Sequence, residues 1–288
     1  MTGPATGPAT VRPTTIDPEA VARAVAPLGA ATRRALGDLV LSMADDEFVS
    51  GFTDSEWTGI APVLEEDVAM SSISQDELGH ARGLYELLAA ILDDGRDADA
   101  IAYDRSPAQY RHAALLDHAR GTWADTIARR FLYELADEAR LGSIGDGFAP
   151  LSDLVGKLRR EERYHRMHAV AWLRRLAEGG TEARRRLEAA LAALEPDAAS
   201  VFTPLAGEAE LLEAGILTRP LAAAEAAWRA DLTTILVPLG LDLQPQQAEA
   251  RVTAPARFGV GRMSHGKAFD WLHSQFTMVR ATDPQAIW

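Results

Sequence analysis

A chain of 288 residues with a formal net charge of −13 can bury a sizeable core, and its acidity argues against nucleic acid or an anionic membrane as a main partner. It has no cysteine, which excludes disulfides, thiolate zinc sites, iron–sulfur clusters and a cysteine nucleophile, so any bound metal must use His and carboxylates. No apolar run approaches the roughly 18 residues of a membrane helix, and the abundance of Ala, Leu, Arg and Glu is a helical bias.

Residues 1–15 contain a Thr-Gly-Pro-Ala near-repeat and lack the apolar core of a signal peptide. Residues 1–16 therefore read as a disordered arm, residues 17–288 as one helical domain, and cytoplasmic residence as the default. The first long helix begins near Asp17-Pro18-Glu19, a cap followed by Pro at an early helical position. Gly29 interrupts it, and the helical pattern resumes from Leu36 through Glu47 toward Trp57. A short connection at 58–62 leads to a second helix over 62–92, whose acidic start at Glu65, Glu66 and Asp67 suits a helix N-terminus. Its stripe of Ile73, Glu77, His80, Leu84, Leu87 and Ile91 steps by four and three, the inward face of an amphipathic helix.

A third helix is predicted over 115–141, ended by the glycines at 142–147, and a fourth over 150–178, stopped at Gly179-Gly180. The fourth carries the stripe Leu158, Glu162, His165, Ala169, Trp172 and Leu176. Further helices are expected over 181–194, 221–236 and 264–279, with loops around 196–207 and 238–262. The whole reads as an all-α, four-helix bundle with additional C-terminal helices, and no repeat or second domain is visible.

Glu77-Leu78-Gly79-His80 and Glu162-Arg163-Tyr164-His165 carry the chemistry. Each Glu-x-x-His sets a carboxylate and an imidazole one turn apart on one helix face. Two such pairs plus one carboxylate from each of two further helices make the di-iron site of ferritin-like proteins. Glu47, 30 residues before Glu77, is the candidate on the first helix, with Asp45 and Asp46 as rivals. Glu134, 28 residues before Glu162, is the candidate on the third, with Asp125 and Glu138 as rivals, and Glu161 competes with Glu162. The expected metal is a pair of iron ions, or a manganese–iron pair. Leu84, Phe131 and Trp172 are the expected apolar walls of a substrate pocket.

Blander readings cover the remaining candidates. A lone Glu-His pair on a helix is commonly a surface pair, and it is the two stripes together that favour metal here. His168 reads as solvent-side or as a support to the ligands; Asp270 and His273 read as structural or interfacial. His112 and His118 are expected to be exposed, and Arg184-Arg185-Arg186 to be a solvated face.

Several segments resemble the phenylacetic acid catabolic family, on the side of the C-type subunits of its multicomponent epoxidase. They are Ser55-Glu56-Trp57 with the stretch from Ala61-Pro62 to Glu66-Asp67, then Ala124-Asp125-Thr126-Ile127-Ala128-Arg129, then Glu161-Glu162-Arg163-Tyr164-His165, then 221–228 and the closing Gln285-Ala286-Ile287-Trp288. The resemblance implies a ferritin-like subunit that pairs with a catalytic A-type subunit holding the di-iron centre, while a small B-type subunit bridges the heterodimers. It also implies an assembly that epoxidises the ring of an aromatic acyl-CoA, phenylacetyl-CoA, with dioxygen and electrons from a separate reductase. C-type subunits typically carry an apolar residue and Gln where this chain has Glu77 and His80. Two expectations therefore stand side by side: an oxygenase component that retains the metal, and a partner subunit that works without one. A ferroxidase or iron-storage protein is a third, which the long C-terminal part disfavours.

Overall fold

The computed structural model describes residues 16–243 and 260–283. Helix α1 (Pro18–Val25) is capped by the Asp17 carboxylate, which accepts from the Glu19 amide at 3.0 Å. Pro27, which has no N–H to donate, ends it, and α2 (Ala30–Ser55) starts after Gly29, at the expected interruption. Helix α3 (Leu64–Leu92) opens with three acids in its first turn and closes on Asp93, whose φ of 49° is left-handed. The short α4 (Ala98–Tyr103) comes next. Helix α5 (Trp123–Leu141) begins at a capping box between Thr122 and Asp125, and α6 (Ala149–Glu178) has Pro150 in its first turn and Gly179 at its end.

Helices α7 (Thr181–Leu194), α8 (Glu208–Glu213), α9 (Leu221–Leu236) and α10 (Lys267–Thr282) complete the described α-helices. There is no strand among the described residues, only an isolated bridge between Ile144 and Leu217. Nor is any described helix long and apolar enough to cross a membrane. The residues expected to form the disordered arm, apart from Ile16, and the closing residues 285–288 lie outside the described residues.

Three sequence expectations need correction. The third long helix starts at Trp123, not near 115: buried Leu115 and Leu116 belong to a separate 3-10 turn (Ala114–Asp117), and Gly121, at φ 68°, breaks the chain before Thr122 caps α5. The last helix spans 267–282 rather than 264–279, because the Gly266 amide is turned outward to donate to Asp117 Oδ2. His112 is fully buried rather than exposed, stacked on His265 and tilted against Phe269. The short helices α4 and α8 carry too little periodicity to be read from the sequence.

Helices α2, α3, α5 and α6 form the bundle, and the later helices wrap around it. Helix α2 is buried on nearly every face from Ala35 to Gly51, and α5 likewise from Ala124 to Leu141. Trp228 of α9 is fully buried and donates its indole N–H to the Leu132 carbonyl of α5 at 3.2 Å. Trp228→Ala should cost about 3–5 kcal/mol, read from urea denaturation midpoints.

Helices α2 and α3 pack most closely beside the functional centre. A Cβ on Gly51 of α2 would lie 2.9 Å from Leu78 Cγ and 3.1 Å from Glu77 Cβ. Gly51→Val should therefore push α3 away and destabilise the fold by about 1–3 kcal/mol. It should also weaken metal uptake, because the displaced turn carries Glu77 beside Leu78.

Candidate metal centre

Glu47 on α2, Glu77 and His80 on α3, Glu134 on α5, and Glu162 and His165 on α6 come together in the middle of the bundle. They form two groups of four buried residues, Glu47–Glu77–His80–Glu162 and Glu77–Glu134–Glu162–His165. Within each group one ligand atom per residue lies within 4.8 Å of all the others. Glu77 and Glu162 belong to both. The imidazole rings flank the centre with centroids 6.0 Å apart.

One atom of each of the six has no hydrogen-bond partner although it is buried: Glu47 Oε2, Glu77 Oε2, His80 Nδ1, Glu134 Oε2, Glu162 Oε1 and His165 Nδ1. His80 Nδ1 is 3.0 Å from Glu162 Oε1 and 3.4 Å from Glu47 Oε2, and His165 Nδ1 is 3.5 Å from Glu77 Oε1. Each buried orphan costs about 1–3 kcal/mol, and native interiors hold few of them. Six converging on one point fit a pair of divalent cations, whose four positive charges would match four carboxylates. The donor set suits iron or manganese.

The atoms that face away from this point are held. His80 Nε2 is 2.7 Å from Glu161 Oε2, and His165 Nε2 is 3.2 Å from Asp76 Oδ2. The acid directly before each Glu-x-x-His thus grips the histidine of the other motif. Such a carboxylate takes the Nε2 proton and leaves Nδ1 as the ligand atom. Tyr133 donates its hydroxyl to Glu47 Oε1 at 2.8 Å. The sequence marks Glu161 only as a rival ligand and does not mark Asp76 or Tyr133 at all; an acid preceding both motifs is the signal that could have found the first two.

The rivals for the ligand positions have other partners. Asp45 accepts from Tyr85, Arg105 and the Arg111 amide, and Asp46 from Arg140, Arg262 and the Ala113 amide. Asp125 caps α5, and Glu138 pairs with Arg166 near the surface. His168 holds Glu66 at the start of α3 (2.7 Å), His118 meets Asp197 at 2.8 Å, and His273 donates to the Arg105 carbonyl. Of the Arg184-Arg185-Arg186 run, the latter two pair with Glu182, while Arg184 reaches the Leu239 and Gly240 carbonyls. Leu84 and Phe131 are fully buried in the main core, and Trp172 packs edge-on against Trp123 at the start of α5.

Electrostatics within the centre are strained. Burial, with the charge of Glu77, pushes the Glu47 carboxyl well above its usual range. Burial does the same to Glu134 despite Arg130 beside it. Burial alone would lower the two histidines, but the carboxylates that face their Nδ1 atoms, Glu162 first, with Glu47 for His80 and Glu77 for His165, push both up to about 12. Burial would raise Glu162, yet the His165 and His80 rings beside it win and hold it low. Asp137, one turn beyond Glu134, is pushed up to about 8 by burial and leaves Oδ2 orphaned.

Arg130 sets a guanidinium against the ligand carboxylates. Its guanidinium is fully buried, bonds Asp54 Oδ2 and Glu134 Oε1, and lies 3.5 Å from Glu77 Oε1. Arg129 takes the other Asp54 oxygen at 3.0 Å.

A helical bundle with a carboxylate or a Glu-x-x-His from each of four helices, meeting at a buried point, defines a ferritin-like carboxylate protein. The sequence comparisons place it more closely. Residues 20–288 match the family described as phenylacetic acid catabolic protein, and the chain belongs to that family. It is 30% identical over 209 residues to the C subunit of 1,2-phenylacetyl-CoA epoxidase from Escherichia coli (strain K12). That match covers 72% of this chain and 84% of the relative.

Proposed function

We propose that this protein is a subunit of a multicomponent oxygenase of the phenylacetyl-CoA epoxidase type, and that its bundle holds two metal ions, iron in the first instance. The relative's name supports the assembly, and the six orphaned ligand atoms facing one point support the metal. When bound, a redox-active pair of ions supplies the activation of dioxygen, with electrons from a separate reductase. The chain's own part is to hold the ions and keep the surroundings dry. Glu47, Glu77, His80, Glu134, Glu162 and His165 would hold the ions, the two histidines through Nδ1, while Glu161 and Asp76 fix their tautomers. Tyr133 orients Glu47 and offers a proton beside it. A cleft of about 280 Å³ between α5 and α6 is lined by Glu162 together with Arg159, Arg160 and Arg163, and would serve as a route in from solvent.

A second reading, a partner subunit that works without metal, is favoured by one observation. Arg130 already supplies positive charge inside the ligand shell, as a bundle freed of its ions would need. Metal analysis of protein from iron-supplemented cells separates the two. About two iron atoms per chain are expected, with none in Glu77→Ala/His80→Ala of unchanged helicity. Metal-free wild-type protein that still co-purifies with an A-type subunit would leave only the scaffold role.

A further inference from the structure

We propose that His112, Asp117 and His265 form a second metal site, for one divalent ion of the zinc class, that clips the start of α10 to the bundle. The three side chains come from separate pieces of chain: the segment after α4, the 3-10 turn Ala114–Asp117, and the residues that lead into α10. Asp117 Oδ1 is 3.1 Å from His112 Nε2 and 3.3 Å from His265 Nδ1. Ligand atoms on one ion at about 2.0–2.2 Å stand about 3.0–3.4 Å apart at right-angled or tetrahedral spacing, so these separations suit a shared ion.

The second observation is an unpartnered ring nitrogen. His265 is 3% exposed in its side chain, and its Nε2 lies 3.0 Å from the Tyr110 carbonyl, to which it can only donate. That bond leaves Nδ1 as the lone-pair nitrogen, aimed at a carboxylate oxygen and without a hydrogen-bond partner. A lone pair facing a carboxylate is repulsive unless a cation lies between them. A backbone carbonyl on the far nitrogen is also how metal-binding imidazoles are commonly oriented.

A proton is the competing cation. The His112 and His265 rings, however, stack with centroids 3.9 Å apart and planes within 15°, so two imidazolium charges would repel face to face. One carboxylate and two neutral imidazoles are a ready donor set for zinc, cobalt or nickel. Asp117 also borders a cleft of about 190 Å³ shared with Ala268, Phe269 and Leu272, through which an ion and its water could enter.

The test is cobalt(II) and zinc titration of the metal-free full chain, with bound metal counted after dialysis and the visible cobalt bands recorded. To separate this site from the bundle centre, the comparison is made in Glu77→Ala/His80→Ala protein. That background is expected to keep one ion, and the ion's affinity should fall at least tenfold on adding His265→Asn or Asp117→Asn. Zinc should raise Tm in the background and fail to do so once His265 is replaced. Should the His265 variant not fold, the wild-type chain carries the test alone. Zinc must move the nitrogen resonance of His265 Nδ1, and a ring that stays protonated at zinc saturation overturns the proposal. Equal ion counts and affinities with and without His265 or Asp117 overturn it too.

Discussion

Arg130→Met is expected to weaken the metal-free protein by about 3–5 kcal/mol and to leave the metal-loaded protein much less affected. Removing one partner of a buried ion pair leaves the other charge without compensation, and that is the costly event. Arg130 is fully buried and serves Asp54 and Glu134 together, with Glu77 close by. Methionine fills similar space without the charge, so the loss is electrostatic rather than a cavity. Arg129 keeps one Asp54 oxygen satisfied, which leaves Glu134 and Glu77 to bear most of the penalty. Two divalent ions in the same shell would supply the missing charge.

The measurement is thermal unfolding of the wild type and the variant, each in chelator and in ferrous or manganous ion. At about 2–4 °C per kcal/mol for a chain of this size, the metal-free Tm should fall by roughly 10 °C. An equal loss with and without metal would mean that Arg130 braces the fold and that the shell draws no charge from ions. It would then count for the scaffold reading, so the experiment speaks to function as well as to stability.

The legible part of the site came from helix geometry. Helices α3 and α6 have one buried stripe each, so a Glu and a His one turn apart in that stripe announced both the helix and its inward face. Glu47 and Glu134 were legible only by their distance from those motifs. Their own helices, α2 and α5, are buried all round by α7 to α10 and the 3-10 turns, which erases the amphipathic contrast. For the same reason Asp45, Asp46 and Glu47 read as interchangeable. Successive residues on a helix point about 100° apart, and each of the three meets a different neighbour: Arg105 and Tyr85, Arg140 and Arg262, or the ligand cluster. Arg130 and Arg262 could not be told from solvated arginines, because only long-range packing buries them. The start of α5 was misread because Leu115 and Leu116 are buried for a different reason, under the turn at Ser200, whose hydroxyl accepts from the Leu115 amide.

Asp46→Ala should be among the most destabilising single changes in the chain, at or above about 3–5 kcal/mol. The carboxylate is fully buried and accepts from Arg140 of α5, from Arg262 of the segment before α10, and from the Ala113 amide. Burial alone would raise its pKa, but the two guanidinium groups hold it below the ordinary carboxylate range, so it is ionised at neutral pH. Alanine would strand two buried cations at once. Arg140 would keep Asp137, and Arg262 would keep the Arg111 and Val201 carbonyls, so neither is left wholly without partners. Arg262→Met should cost less, because Asp46 retains Arg140. Asp46→Ala/Arg262→Met should then be less harmful than the sum of the two, by about 0.5–3 kcal/mol, since the second change removes one of the stranded charges. Urea midpoints for the four proteins measure this directly. An Asp46→Ala cost below about 1 kcal/mol, well under the range for a broken buried pair, would show that the two guanidiniums find solvent when freed, and that the C-terminal segment is not fastened to α2 in this way.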